Sequence, residues 1–116
     1  MKNYVDVLGT RYEIIRLPAD KMGESIGGFC DPDLKKIEIL KLDTVGEWKA
    51  ESQEKRTERE KLFLRHEIVH AFLNESGLRD NCAHIDMPWA HNEEMVDWFA
   101  AQGKKIHKAW EEAGAL

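Results

Sequence analysis

Leu62-Phe63-Leu64-Arg65-His66-Glu67-Ile68-Val69-His70-Ala71-Phe72-Leu73 is the stretch on which the fold of this chain turns. It is apolar around most of its circumference, as expected of a helix held between a sheet and a second helix. Residues four apart stand on the same helix face, so His66 and His70 can grip one metal ion from one side. Glu67 lies about 100° farther round the helix, near that ion without having to bind it. A carboxylate that takes a proton from metal-activated water belongs there. Leu64, Ile68 and Phe72 fall opposite the two histidines, so the spacing predicts a core side separated from a metal side. Gly77 is placed to end the helix.

A catalytic zinc site needs a third protein ligand and an open position. Asn92-Glu93-Glu94-Met95-Val96-Asp97 supplies one. On a helix Glu93 and Asp97 share a face, so Glu93 can bind the ion while Asp97 accepts the outer N–H of a liganding imidazole and fixes its tautomer. Glu94 competes for the ligand role, but four residues on from it stands Trp98. His84, in the connecting segment, is a further alternative. Enzymes with a third histidine soon after the pair would need one at position 76, which is Ser76, and Leu73 stands where they often have glycine. Two imidazoles and a carboxylate on a buried helix without a partner would be costly, which argues against incidental histidines.

These residues resemble the glutamate-type zincins, whose metal is held by His-Glu-x-x-His and a Glu from a later Asn-Glu-x-x-x-Asp segment. The resemblance implies Zn2+ as cofactor, His66, His70 and Glu93 as ligands, Glu67 as general base and Asp97 as the carboxylate behind a ligand. Within that group, Glu93-Glu94-Met95-Val96-Asp97-Trp98-Phe99-Ala100 is most similar to the ImmA/IrrE-type metallopeptidases and the minimal minigluzincins, with Val96 in place of the usual small Ala. Their mobile-element and phage associations carry over only as an implication, because no DNA-binding helix-turn-helix is evident. The implied activity is metalloendopeptidase hydrolysis of a peptide or protein substrate. Tyr12, His84 and His91 are candidates for stabilising the oxyanion.

Outward from the helix, the chain predicts a small α+β protein with the zincin-like arrangement. An antiparallel or mixed N-terminal sheet would pack on the active-site helix and on a C-terminal helix bearing Glu93. Residues 3 to 17 alternate loosely around Gly9-Thr10 and suggest strands or a hairpin ending at Pro18. Gly27 to Cys30, Asp31-Pro32-Asp33 and Lys36 to Leu40 read as strand, turn and strand, with Ile37 and Ile39 on one face. An extended peptide substrate is expected along a sheet edge near Ile37 to Leu40. Residues 19 to 26 are a loop or a short helix. Glu47 to Lys61 carries mixed charge, including a Glu51–Lys55 pair at helical spacing. Thr57-Glu58-Arg59-Glu60 fits a capping box, although helix could equally run through Thr57. After a polar connection over 78 to 87, a second helix begins between Pro88 and Asn92 and runs toward Ala113. Met95, Phe99, Ile106 and Trp110 form its apolar stripe, and Gly103 is a weak point.

The 116 residues suit one domain, 1–116. With 17 Lys plus Arg against 22 Asp plus Glu, the net charge is −5, so no overall basic field exists to attract nucleic acid or a membrane surface. Two cysteines are too few for a disulfide scaffold. The start is interrupted by Asp6 and lacks the apolar stretch of a secretory signal, so a cytoplasmic setting is expected. Oligomeric state is open. Two rival functions stay in play. One is a zinc-binding regulatory or interaction module with negligible turnover, using Trp48, Trp89, Trp98 and Trp110, although most of these should build the core of so small a chain. The other is a deformylase-like amidohydrolase with Cys30 as a ligand. The segment Gly28-Phe29-Cys30-Asp31-Pro32 departs from the deformylase pattern, and a buried or loop thiol accounts better for Cys30.

Overall fold

Leu8 and Gly9 turn the chain at positive φ (49° and 88°), the backbone a two-residue hairpin turn requires. The turn sets β1 (Tyr4–Val7) antiparallel to β2 (Thr10–Leu17), with Val7 opposite Thr10. The computed structural model describes residues 1–23, 27–79 and 88–116, so His84, Cys82 and most of the predicted polar connection lie outside the described residues. A second hairpin joins β3 (Gly28–Asp31) to β4 (Lys36–Leu40). Its turn is the predicted one: Asp31 Oδ1 accepts from the backbone N–H of Asp33 (3.0 Å) and of Leu34 (2.9 Å). β2 and β4 run parallel, with Ile14 beside Ile37. The strand order is β1-β2-β4-β3, a four-stranded mixed sheet. β4 is therefore interior. The edge strands are β1 and β3, and β3 is the one beside Ile37 to Leu40, the region where a peptide is expected.

Alternation puts Val7, Tyr12, Ile14, Cys30, Ile37 and Ile39 on one sheet face, where they meet Phe63, Leu64, Ile68 and Ala71 of α1 (Gln53–Glu75). Phe72, expected on this side, is 43% exposed. Each step of four residues advances about 40° round the helix, so the row through Leu64 and Ile68 has left the sheet by Phe72, and Ala71 takes its place. α1 also starts earlier than the capping box suggests. Ser52 has extended backbone and its hydroxyl accepts from Lys55 N (3.2 Å). Arg56 Nη1 then donates to the carbonyls of Trp48 (3.1 Å) and Glu51 (2.5 Å), tying down the incoming turn. Thr57 is an interior residue whose hydroxyl accepts from Gln53 Nε2 (3.0 Å). At the other end Gly77 has φ 84°, as its position predicts.

Ala19–Lys21 forms a short 3-10 turn, so this part of the undecided 19 to 26 segment is helical. Met22, Leu40 and Leu42 make a satellite core with Trp48 and Phe63. Beneath it Glu60 is buried, pairs with Arg16 and accepts from Leu42 N (2.8 Å). The Glu51–Lys55 pair forms at 2.8 Å.

Pro88 and a 3-10 turn (Trp89–His91) lead to α2 (Glu93–Glu112), capped by Asn92 Oδ1 accepting from Met95 N (2.9 Å). α2 packs on α1 through Val96, fully buried with Leu73 and Ala90, and through Ala100. Arg65 Nε donates to Ala100 O (2.8 Å) across that contact. The apolar stripe is only partly the contact face: Met95 packs against the cluster and Ile106 is half-buried, whereas Phe99 is 41% and Trp110 54% exposed. Gly103 does not interrupt the helix. Trp89 and Trp98 are also 54% exposed, so only Trp48 joins a core. The reason is placement, since α2 lies against α1 rather than under the sheet. Among the described residues no helix is long and apolar enough to cross a membrane.

Candidate metal centre

Two turns of α1 and the first turn of α2 build the site. His66 and His70 stand one above the other on α1, their Nε2 atoms 3.0 Å apart. Capping by Asn92 starts α2 so that Glu93 faces both rings. Its Oε2 lies 3.0 Å from His66 Nε2 and its Oε1 3.1 Å from His70 Nε2. Asp97, one turn on, reaches the other side of His66, with Oδ1 2.7 Å from Nδ1. The tautomer of His66 in which Nδ1–H donates to Asp97 leaves Nε2, on the Glu93 side of the ring, free to ligate.

His66, His70 and Glu93 each offer a ligand atom, all within 4.8 Å of one another. Ligands about 2.0–2.1 Å from a tetrahedral zinc are separated by about 3.3 Å, close to the spacings here. Lone-pair atoms converging on one point repel unless a cation stands between them, so the donor set fits a divalent ion. Burial holds the His70 imidazolium below its usual range, which favours the neutral ligand form, although Glu93 opposes the shift.

Glu67 is 6% exposed and its Oε1 lies 3.9 Å from His66 Nε2. Burial pushes its carboxyl up to about 7; His66 opposes this and Glu93 adds to it. The carboxylate sits where β3 has no side chain. A Cβ on Gly28 would come within 2.8 Å of Glu67 Cγ, and one on Gly27 within 2.8 Å of the Phe63 ring. The glycine pair therefore permits the close approach of α1 to the edge strand.

A cleft of about 330 Å³ opens over the cluster, lined by Gly28, Phe29 and Cys30 of β3, the α1 residues, Ala90, His91, Glu93 and Arg79. The structure brings together His66, Glu67, His70, Glu93 and Asp97, with His91 at the rim. It leaves Glu94 outside the ligand group. Tyr12 is excluded as an oxyanion helper: it is fully buried and donates to Glu75 Oε1 (2.6 Å). Cys30 lines the cleft but is not in the ligand group, and burial pushes its thiol up to about 12. Arg79 and Gly28 were not anticipated. The Gly27-Gly28 pair is the one signal in the sequence that pointed to the latter.

Comparison of the chain with protein-family models, with curated proteins and with solved structures gave no match in any of the three.

Proposed function

We propose that this protein is a zinc-dependent metallopeptidase of the glutamate-type zincin architecture, cleaving peptide bonds in a peptide or protein substrate. The observation that carries the proposal is the convergence of His66, His70 and Glu93 on one point with Glu67 beside it and Asp97 behind His66. Support also comes from the mixed sheet, whose antiparallel edge strand β3 flanks the helix that bears the histidines.

A bound divalent ion would supply Lewis acidity, lowering the pKa of water and polarising the scissile carbonyl. Glu67 then accepts the proton of the attacking water and hands it to the leaving amine. Its burial excludes bulk water from that transfer. Asp97 holds the His66 ring in the ligating tautomer. An extended substrate adds to the outer edge of β3, which no other described strand pairs, so that the backbone of Gly28–Asp31 can align it.

Metal analysis and peptide cleavage test this. Purified protein is expected to hold about one zinc per chain. Glu67→Gln should keep the metal and lose about 10²–10⁴-fold or more in cleavage of unstructured peptides. His70→Ala and Glu93→Ala should lose the metal. A metal-free wild-type preparation, or undiminished turnover by Glu67→Gln, refutes the assignment. Cys30→Ala should retain its zinc, whereas a deformylase-like site would release it. The half-exposed Trp89, next to the cleft-lining Ala90, and Trp98, next to Asp97, favour one second reading, a zinc-bearing interaction module. That reading predicts peptide binding without turnover.

A further inference from the structure

Among the described residues, Arg79 is the one permanently charged cation lining the cleft. The left-handed turn at Gly77 reverses the chain past the end of α1, and Arg79 N donates back to Leu73 O (3.4 Å). Arg79 thereby lines the cleft, near enough to Cys30 and His70 for its charge to act on both. Nothing in the proposed proton transfer uses it, and no carboxylate among the described residues pairs with it. The other described residues of the wall offer it no partner. Gly28, Phe29 and Ala90 are apolar, and both lining carboxylates, Glu67 and Glu93, are turned toward the histidines.

In a chain of net charge −5, an arginine that no described carboxylate pairs, beside the His66–His70–Glu93 cluster, is a receptor for an anion. The cleft volume of about 330 Å³ stands at the small end of ligand pockets, so a bound anionic group would lie close to the reacting bond. We propose that Arg79 selects peptides bearing a carboxylate next to the scissile bond, supplied either by an acidic side chain or by a free C-terminus. The inference rests on the peptidase reading and narrows its substrate class. Arg79 is then a specificity residue, which pairs with substrate through its planar fork and takes no proton.

The experiment uses four versions of one unstructured peptide: free C-terminus without acids, amidated without acids, amidated with one Glu, and amidated with Gln at that place. Binding to the zinc-loaded Glu67→Gln protein is measured by calorimetry, alone and combined with Arg79→Gln or Arg79→Lys. Cleavage by the wild type is followed in parallel. Carboxylate-bearing peptides should bind about tenfold tighter than their neutral counterparts, an advantage erased by Arg79→Gln and partly restored by Arg79→Lys. The free-terminus and Glu arms show which carboxylate source is preferred. Equal binding of charged and neutral peptides overturns the inference, as does a preference that survives Arg79→Gln. Should Arg79→Gln fail to fold, the preference must instead collapse between low salt and about 1 M salt, and one that is salt-insensitive overturns the inference. Cleavage without carboxylate preference refutes this inference and leaves the peptidase reading standing. Carboxylate-dependent binding with no cleavage of any peptide does the reverse.

Discussion

Glu75 shows how much one side chain can hold together. At the last turn of α1 it accepts from Tyr12 Oη (2.6 Å), Lys35 Nζ (2.6 Å) and Thr10 Oγ1 (3.1 Å), tying the helix to β2 and to the β3–β4 turn. The Lys35 ammonium, followed by the Tyr12 hydroxyl, holds its carboxyl down to about 2. A carboxyl with a lowered folded-state pKa stabilises the protein above its unfolded value near 4.5, and that stabilisation drains away as pH falls toward 2. Glu75→Gln should therefore cost about 1.5–3 kcal/mol at pH 7. The thermal midpoint of the variant should also fall less steeply than that of the wild type between pH 4.5 and 2. Parallel curves would show that Glu75 is not the titrating group. At this scale, legibility followed periodicity. His66, His70, Glu93 and Asp97 could be placed because helix spacing fixes which residues share a face. Arg79 could not, because its position depends on a left-handed turn and a loop path. Tyr12 stood among the candidates for the oxyanion because a hydroxyl on an alternating strand says nothing of which acceptor lies across the core.

Among elements, the approach of α1 to β3 sets the geometry of the centre. Gly28→Ala would place a methyl group against Glu67 Cγ and the Glu38 carbonyl, so the strand or the carboxylate must yield. The expected cost is about 1–3 kcal/mol in denaturant unfolding, with zinc content kept and peptide cleavage reduced. Unaltered cleavage would mean that Glu67 tolerates the displacement. The hairpins were readable from the sequence because turn residues punctuate them. The strand order was not. Nothing local in Lys36–Leu40 says that β2 and β3 will flank it, since parallel pairing is decided by where the intervening chain can cross. The start of α1 was left open for a related reason: Thr57-Glu58-Arg59-Glu60 fits a capping box, but helix could equally run through Thr57, and the Ser52 cap with the Arg56 bonds to the preceding carbonyls settles the earlier start. The outward turn of Phe99 and Trp110 likewise reflects docking on the small residues Val96 and Ala100, which an apolar stripe does not reveal.

For the molecule as a whole, α2 is the part most dependent on the centre. It packs chiefly on α1, and the carboxylates that face the histidines lie in its first two turns. An ion held at about a hundred times its dissociation constant adds about 2.7 kcal/mol to stability, and that contribution should fall largely on this helix. Chelation is therefore expected to lower the thermal midpoint and to speed amide hydrogen exchange in Glu93–Glu112, while β2 and β4 stay protected. Uniform loss of protection would show instead that sheet and helix open together.

The parallel seam between β2 and β4 also bears on how the chain reaches this state. Each hairpin closes locally, Val7 against Thr10 and Asp31 against Lys36, whereas Glu13 must find Lys36 across everything between. Such long-range closure is the slow entropic step for small proteins. Nascent hairpins should flicker early, and commitment should come when Ile14 meets Ile37 and α1 settles over both. His66, His70 and Glu93 then come together only after the barrier is crossed, so a bound metal would slow unfolding without hastening folding.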